Sequence, residues 1–194
     1  MMKMTLEDVS FDEAQFRQMG WIECTLKGVS FARAVMNSCG FVGIRGSEGL
    51  DFTAAALAAC SFSSDSTLAG AVLRDAAFKH CGLRGVTLAD ADLSGAQLEG
   101  CDFSNCDLRR ARLDRLDGGE SLFVRADFSG ASLVGANLID ANLSKADLRM
   151  ANFHSANLFR ADVSQAVIDG STLLGNAYTH NAKVLPVRRT ETTR

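Results

Sequence analysis

The chain has 194 residues, enough for one domain with a sizeable hydrophobic core. It carries 20 basic and 23 acidic side chains, and this near balance argues against a strongly charged partner such as nucleic acid. No apolar stretch is long enough to span a bilayer and the first residues do not resemble a signal peptide, so we predict a cytoplasmic protein without a membrane partner.

Large apolar side chains, which we call central residues, recur every five residues from Leu6 onward. The spacing slips by one residue at 43–49 and again at 63–67, where Gly, Ser and Asp are frequent. We expect a small bulge or loop at each of these two places. The central residues of this first part are Leu6, Phe11, Phe16, Trp21, Leu26, Phe31, Met36, Phe41, Phe52, Leu57 and Phe62.

From Leu68 the same spacing is predicted to hold to Tyr178, with one defect that does not change it. At 116–118 the chain has Leu, Asp and Gly where other repeats have a small, a polar and a large apolar residue. Leu116 is too large for the small position, and Gly118 leaves the central position empty. We therefore expect the segment Leu116–Glu120 to bulge outward.

The stretch 126–163 shows the repeat most clearly, because an Ala stands two residues before each central residue and an Asp or Asn usually lies between them. A period of five fits neither regular element, since the central residues would spread around a helix and alternate between the faces of a strand. The chain must bend once per repeat. Four bends close a coil of about twenty residues, and stacked coils bury a continuous core.

The segments ADLSG at 91–95 and ANLSK at 141–145 match the pattern A-(D/N)-L-x-x, and through them the sequence resembles the pentapeptide-repeat family. The resemblance implies an all-β fold, a right-handed quadrilateral β-helix, here of about eight to nine coils. We expect this β-helix over 1–178, with irregularities near 43–49, 63–67 and 114–122. A C-terminal tail is expected over 179–194.

The cysteines all fall at the small position that Ala fills elsewhere, so we expect them to be buried. The sequence has no CxxC spacing, and an inward site would lie inside the core, so free thiols are favoured over a disulfide or a metal site. The six residues are Cys24, Cys39, Cys60, Cys81, Cys101 and Cys106.

No group of residues has the arrangement of a catalytic site. His80 adjoins Cys81, but neighbours on a bent strand point to different sides, whereas a Cys–His pair needs hydrogen-bond contact. The Gly-containing piece at 117–119 lacks the Lys-Ser/Thr and the helix of a phosphate-binding loop. We therefore predict a non-enzymatic protein with no cofactor, no metal and no small-molecule substrate.

A repeat rod without an active site is typical of a scaffold that binds another protein. The run 156–189 is similar to the ends of pentapeptide-repeat proteins encoded with bacterial type VI secretion components, and this similarity implies an accessory or adaptor role in effector delivery. The alternative is a DNA mimic that binds DNA gyrase or topoisomerase, as in the quinolone-resistance members of the family. Residues 121–194 carry 8 basic and 6 acidic side chains, which argues against a mimic and gives no reason to expect direct nucleic-acid binding.

One side of the coil is the candidate contact face, because residues twenty apart stack on the same side. There we expect Ile139 and Phe159 to be exposed neighbours beside the predicted bulge, which is how a protein contact looks. Two scattered surface hydrophobes and a tolerated defect are the alternative. A separate hypothesis is an end-to-end homodimer through the C-terminal coil, since a solenoid end has unpaired strand edges. The predicted contact residues are Leu116, Asp117, Gly118, Gly119, Glu120, Ile139 and Phe159.

Overall fold

A computed structural model describes residues 1–184, and within them it contains short strands, single bridges and turns but no helix. The bends that the five-residue period requires are present, so each strand is two or three residues long. The strands are β1 (Thr5–Glu7), β2 (Gln15–Arg17), β3 (Gly20–Ile22), β4 (Thr25–Lys27), β5 (Val35–Asn37), β6 (Gly40–Val42), β7 (Ala56–Ala58), β8 (Ser61–Phe62), β9 (Ala77–Lys79) and β10 (Gln97–Glu99).

All strand pairs are parallel, and each strand pairs with the strand one coil later. The longest sheet has the order β10-β9-β7-β5-β2, and β3-β6-β8 and β1-β4 form two others. Beyond Glu99 the same ladders continue as single bridges, for example Gln97 with Asp117 and Asp117 with Asn137. The chain is therefore a β-solenoid with four sides, as the sequence predicts.

The side that carries the longest sheet also carries the candidate contact residues, and we call it the Gln15 face. Its ladder begins at Gln15 in β2, runs through β5, β7, β9 and β10, and ends at Tyr178. At every level the central residue points into the core, and the residues before and after it point outward. The outward pairs are Gln15 and Arg17, Val35 and Asn37, Ala56 and Ala58, Ala77 and Lys79, Gln97 and Glu99, Asp117 and Gly119, Asn137 and Ile139, Asn157 and Phe159, and Tyr178 and His180.

Two extra residues change the pairing step from 20 to 21 in the first half of the chain. Thr25 pairs with Arg45, but Ser30 pairs with Asp51, so one extra residue lies between Arg45 and Asp51. A second lies just after Ser61: this residue pairs with Gly82, 21 residues on, whereas the next bridge, from Thr67 to Thr87, spans 20. Both lie in turns between ladders, so the ladders on the four sides remain continuous.

The prediction that the spacing holds from Leu68 to Tyr178 is wrong, because a third extra residue lies between Val167 and Leu173. Asp147 pairs with Val167, 20 residues on, whereas Asn152 pairs with Leu173, 21 residues on. Leu173 and Tyr178 consequently point outward, with 54% and 53% of their surface exposed.

The turn at Asp169 holds this extra residue by hydrogen bonds that the repeat pattern does not reveal. The Asp169 carboxylate accepts from the Met150 amide at 3.2 Å and from the Ser171 amide at 2.9 Å, and the Asp169 amide donates to the Thr172 hydroxyl at 3.1 Å. After this turn the ladder runs past Tyr178 as far as Lys183, which pairs with Asp162. The coil therefore includes the first residues of the predicted tail, and 185–194 lie outside the described residues.

The core is a single column of stacked apolar side chains. In the N-terminal coils, rings at corresponding positions stack, as in Phe31 with Phe52 at a centroid distance of 5.0 Å and Phe41 with Phe62 at 4.5 Å. All six cysteines are free and buried, so their predicted burial is confirmed.

Candidate protein-interaction face

The predicted bulge at Leu116–Glu120 is wrong, because this segment continues the coil without interruption. The Asp117 amide donates to the Ala96 carbonyl at 2.8 Å, and the Gly118 amide donates to the Asn137 carbonyl at 2.8 Å. Leu116 is 0% exposed. These bonds fix the segment to the coil on either side of it.

Leu116 and Gly118 have exchanged roles within the repeat. A methyl group added at Gly118 would lie 3.1 Å from Leu116 Cδ2, 3.2 Å from Leu138 Cδ2 and 3.3 Å from Phe123 Cζ. The Leu116 side chain thus extends from the small position toward the space that a central Leu would fill. Sequence reasoning treated the two residues as separate defects and missed that they compensate each other.

The real surface feature here is a notch on the Gln15 face, which we call the Gly119 notch. Gly119 has no side chain, and Gly100 lies one level away at the corner, so the outer layer is missing at this point. Carboxylates surround the notch. Its lining is Gln97, Leu98, Glu99, Gly100, Asp117, Gly119, Glu120, Asn137 and Ile139.

The carboxylates around the notch differ in their partners. Glu99 accepts from the Lys79 ammonium group at 2.8 Å, and this contact lowers the pKa of Glu99. Asp117 accepts from the Asn137 amide group at 2.9 Å. Glu120 forms no ion pair with any residue in 1–184, so the notch keeps an excess of negative charge.

Ile139 and Phe159 lie next to the notch on the Gln15 face, at consecutive levels as predicted, but they are half-buried rather than exposed. Phe159 stacks on Tyr178 and on His180, with centroid distances of 5.9 and 6.0 Å. The third extra residue explains this arrangement, since it places His180 rather than Thr179 over Phe159. We call Ile139, Phe159, Tyr178 and His180 the aromatic patch.

Cationic side chains border the aromatic patch. The Arg160 guanidinium lies 4.8 Å from the centre of the Phe159 ring and also donates to both carboxylate oxygens of Asp140. This ion pair lowers the pKa of Asp140 and raises the pKa of Arg160. The outer edge of the patch is therefore ordered rather than loosely solvated.

A second apolar area on the same face was missed by sequence reasoning. Val35, Ala56, Ala58 and Ala77 occupy outward positions of three consecutive strands, and we call them the alanine patch. Val35 is 40% exposed, Ala56 is exposed, and the other two are half-buried. The signal was available, since apolar residues stand at successive outward positions where most repeats have polar ones.

The residues weighed as chemical groups do not converge in the structure. Within residues 1–184 no group of three or more His, Cys, Asp and Glu side chains has a metal-binding arrangement. Burial raises the pKa of the Cys106 thiol to about 12, which is unlike an activated nucleophile. In the same range, no helix is long and apolar enough to cross a membrane.

With this geometry established, the sequence was compared with known proteins. A family model described as pentapeptide repeats matches in eight copies, over residues 88–117, 121–158 and 136–175. The repeats place the chain in the pentapeptide-repeat family. Among curated proteins, none matches this sequence.

Solved pentapeptide-repeat structures have a similar fold. Full-length QnrB1, a plasmid-mediated fluoroquinolone resistance protein, is 17% identical, with a TM-score of 0.53 over 95% of this chain and 92% of that protein. A trypsin-treated variant of QnrB1 is 18% identical, with a TM-score of 0.57 over 95% and 90%. HetL, involved in heterocyst differentiation regulation in the cyanobacterium Nostoc, is 23% identical, with a TM-score of 0.41 over 94% and 85%. At these identities the likeness to QnrB1 concerns the fold.

Proposed function

We propose that this pentapeptide-repeat protein is a non-enzymatic scaffold that binds another protein through its Gln15 face. One observation carries the proposal: an ordered apolar cluster, the aromatic patch, lies directly beside an acidic notch on an otherwise regular rod. Apolar clusters rimmed by polar groups are typical of protein contacts. The predicted contact residues remain the candidates, although Leu116 and Gly118 act from beneath the surface, by shaping the notch.

The test is the double change Ile139→Ser with Phe159→Ser. Both side chains are half-buried, so we expect about 1 kcal/mol of lost stability per site and a folded protein. Val124→Ser with Val134→Ser is the matched control, because these residues hold the same repeat position, are half-buried and lie on the two neighbouring sides. Quantitative pull-down from a native lysate should lose the partner with the first variant and keep it with the control. Equal recovery with both variants would exclude this face.

The finer proposal is an accessory or adaptor role in type VI secretion. It is supported by the similarity of the run 156–189, which contains Phe159, Tyr178 and His180 and therefore most of the aromatic patch. Cross-linking in a native lysate should then recover a secretion component, and recovery should fall with the Phe159→Ser change. Partners unrelated to secretion would overturn the adaptor role but leave the scaffold.

Binding to DNA gyrase or topoisomerase is the alternative, and the shared fold with QnrB1 is what supports it. Charge argues against it, since residues 41–120 carry 8 basic and 12 acidic side chains, a small excess for a mimic of duplex DNA. A supercoiling assay at micromolar protein separates the two proposals. Inhibition, or protection from quinolones, would favour the alternative.

A contact between two copies is proposed at the C-terminal coil. Ile168 and Leu174 stand at its end beside Leu158, and they are 60% and 45% exposed. Unpaired ladder edges and apolar side chains together favour association. Light scattering should give twice the 20.7 kDa chain mass at high concentration, and Leu174→Asp should return it to one. A single-chain mass for the unchanged protein would reject this contact.

A further inference from the structure

The Gln15 face carries two apolar patches, and the notch lies between them. We propose that it binds one amphipathic α-helix of the partner, laid along the rod, with apolar residues on both patches and a Lys or Arg in the Gly119 notch. The inference rests on the proposed scaffold function and names the chemistry of the partner segment. Its support comes from the backbone of the face, the spacing of the patches and the charge at the notch.

The backbone of this face cannot recruit a strand. Its amides are already used, as where the Ala56 amide donates to the Ala34 carbonyl at 2.8 Å and the Ala77 amide donates to the Ala55 carbonyl at 2.8 Å. Strand addition needs a free sheet edge, and this surface is the flat side of a sheet. A partner must therefore bind through side chains. Small outward residues such as Ala56 and Ala77 let a helix backbone approach closely.

The spacing of the patches suits a helix. Neighbouring levels of a parallel ladder lie about 4.8 Å apart, so the three levels from Ala77 to Ile139 span about 14 Å. The five levels from Ala56 to Phe159 span about 24 Å. A helix rises about 1.5 Å per residue, so about ten residues separate the inner anchors and an 18-residue helix reaches about 27 Å.

Charge defines the middle of the partner helix. Asp117 and Glu120 flank the Gly119 notch, and Glu120 has no ion-pair partner among residues 1–184. The space above Gly119 would admit a long side chain, and the carboxylates favour a Lys or Arg there. An acidic residue at this point of a partner would be repelled by both.

The probe is a labelled 18-residue helical peptide with Leu at its positions 1, 4, 15 and 18 and Lys at 8 and 11, all on one face. The reference peptide has Glu in place of both Lys residues. Fluorescence anisotropy should show saturable binding of the Lys peptide, at least about tenfold tighter than the Glu peptide. No saturable binding, or equal affinity for both peptides, would overturn the helix proposal.

Protein variants locate the binding. Ala56→Arg should weaken the Lys peptide at least about tenfold, and Glu120→Gln should reduce the preference for Lys over Glu. Ser61→Arg is the matched control, because Ser61 holds the same exposed repeat position on the next side, and it should leave binding unchanged. Peptide binding that is insensitive to Ala56→Arg would contradict the proposal. If the peptide fails while Ile139→Ser with Phe159→Ser still abolishes partner recovery, the helix is wrong and the scaffold function stands.

Discussion

The exchange between Leu116 and Gly118 gives the sharpest test of the fold. Leu116→Ala removes three buried carbon atoms from a site whose neighbour, Gly118, has no side chain to move into the space. Removal of a buried Leu side chain typically lowers the free energy of unfolding by about 2–5 kcal/mol. We expect the upper half of this range, because the contacts to Leu138 and Phe123 are already close and fixed by the coil.

The reverse single change should also destabilise the protein. In Gly118→Leu, the new Cβ would lie 3.1–3.3 Å from three side chains, one of them Leu116. Overpacking of this kind lowers the free energy of unfolding by about 1–3 kcal/mol. The Gly118 backbone does not have positive φ, so conformational strain should add little.

The double variant Leu116→Ala with Gly118→Leu recreates the regular Ala-Asp-Leu repeat. It should lie within about 1 kcal/mol of the original protein, so the two changes should be coupled by about 2 kcal/mol or more. Equilibrium unfolding in urea measures all four proteins, and an unchanged m-value makes them comparable. Additive losses would show that Leu116 does not fill the Gly118 position.

Three further predictions concern the thiols, the ion pairs and the Asp169 turn. The six thiols should be unreactive toward a thiol reagent in the folded protein and all react in denaturant; a reactive thiol in the native state would contradict their burial. Hydrogen bonds from Arg109 lower the pKa of Asp107, so the unfolded state binds more protons in acid; stability should hold above about pH 4, fall as pH decreases further, and fall less in Asp107→Asn, as thermal scans can show. Deleting Gly170 should leave thermal stability within about 1 kcal/mol, since it removes the extra residue and keeps Leu174 central; a large loss would mean that the assigned register is wrong.

Much of the fold could be predicted from the sequence because the period of central residues fixes which side chains point inward. A core of stacked Leu and Phe needs only local spacing, and the cysteines follow the same rule as the Ala residues they replace. The positions of the first two extra residues were visible as interruptions between Phe41 and Phe52 and between Phe62 and Leu68.

The rest depended on contacts between coils, which spacing does not reveal. Leu173 and Tyr178 keep the five-residue phase by count, yet hydrogen bonds at Asp169 insert a residue and turn both outward. The compensation of Gly118 by Leu116 is visible only when the side chains are placed in one shared space. The alanine patch was overlooked because attention to central residues says little about the residues between them.

The irregularities also determine where this rod can be recognised. In a perfect repeat, every coil presents the same outward residues, and a partner would find no preferred level. Exchange of Leu116 with Gly118 leaves the core filled while Gly119 opens a notch beside it. The extra residue near Asp169 moves Tyr178 from the core to the surface and sets His180 over Phe159. Because all three extra residues lie in turns, the ladders stay aligned, and the Gln15 face joins notch and patches into one surface.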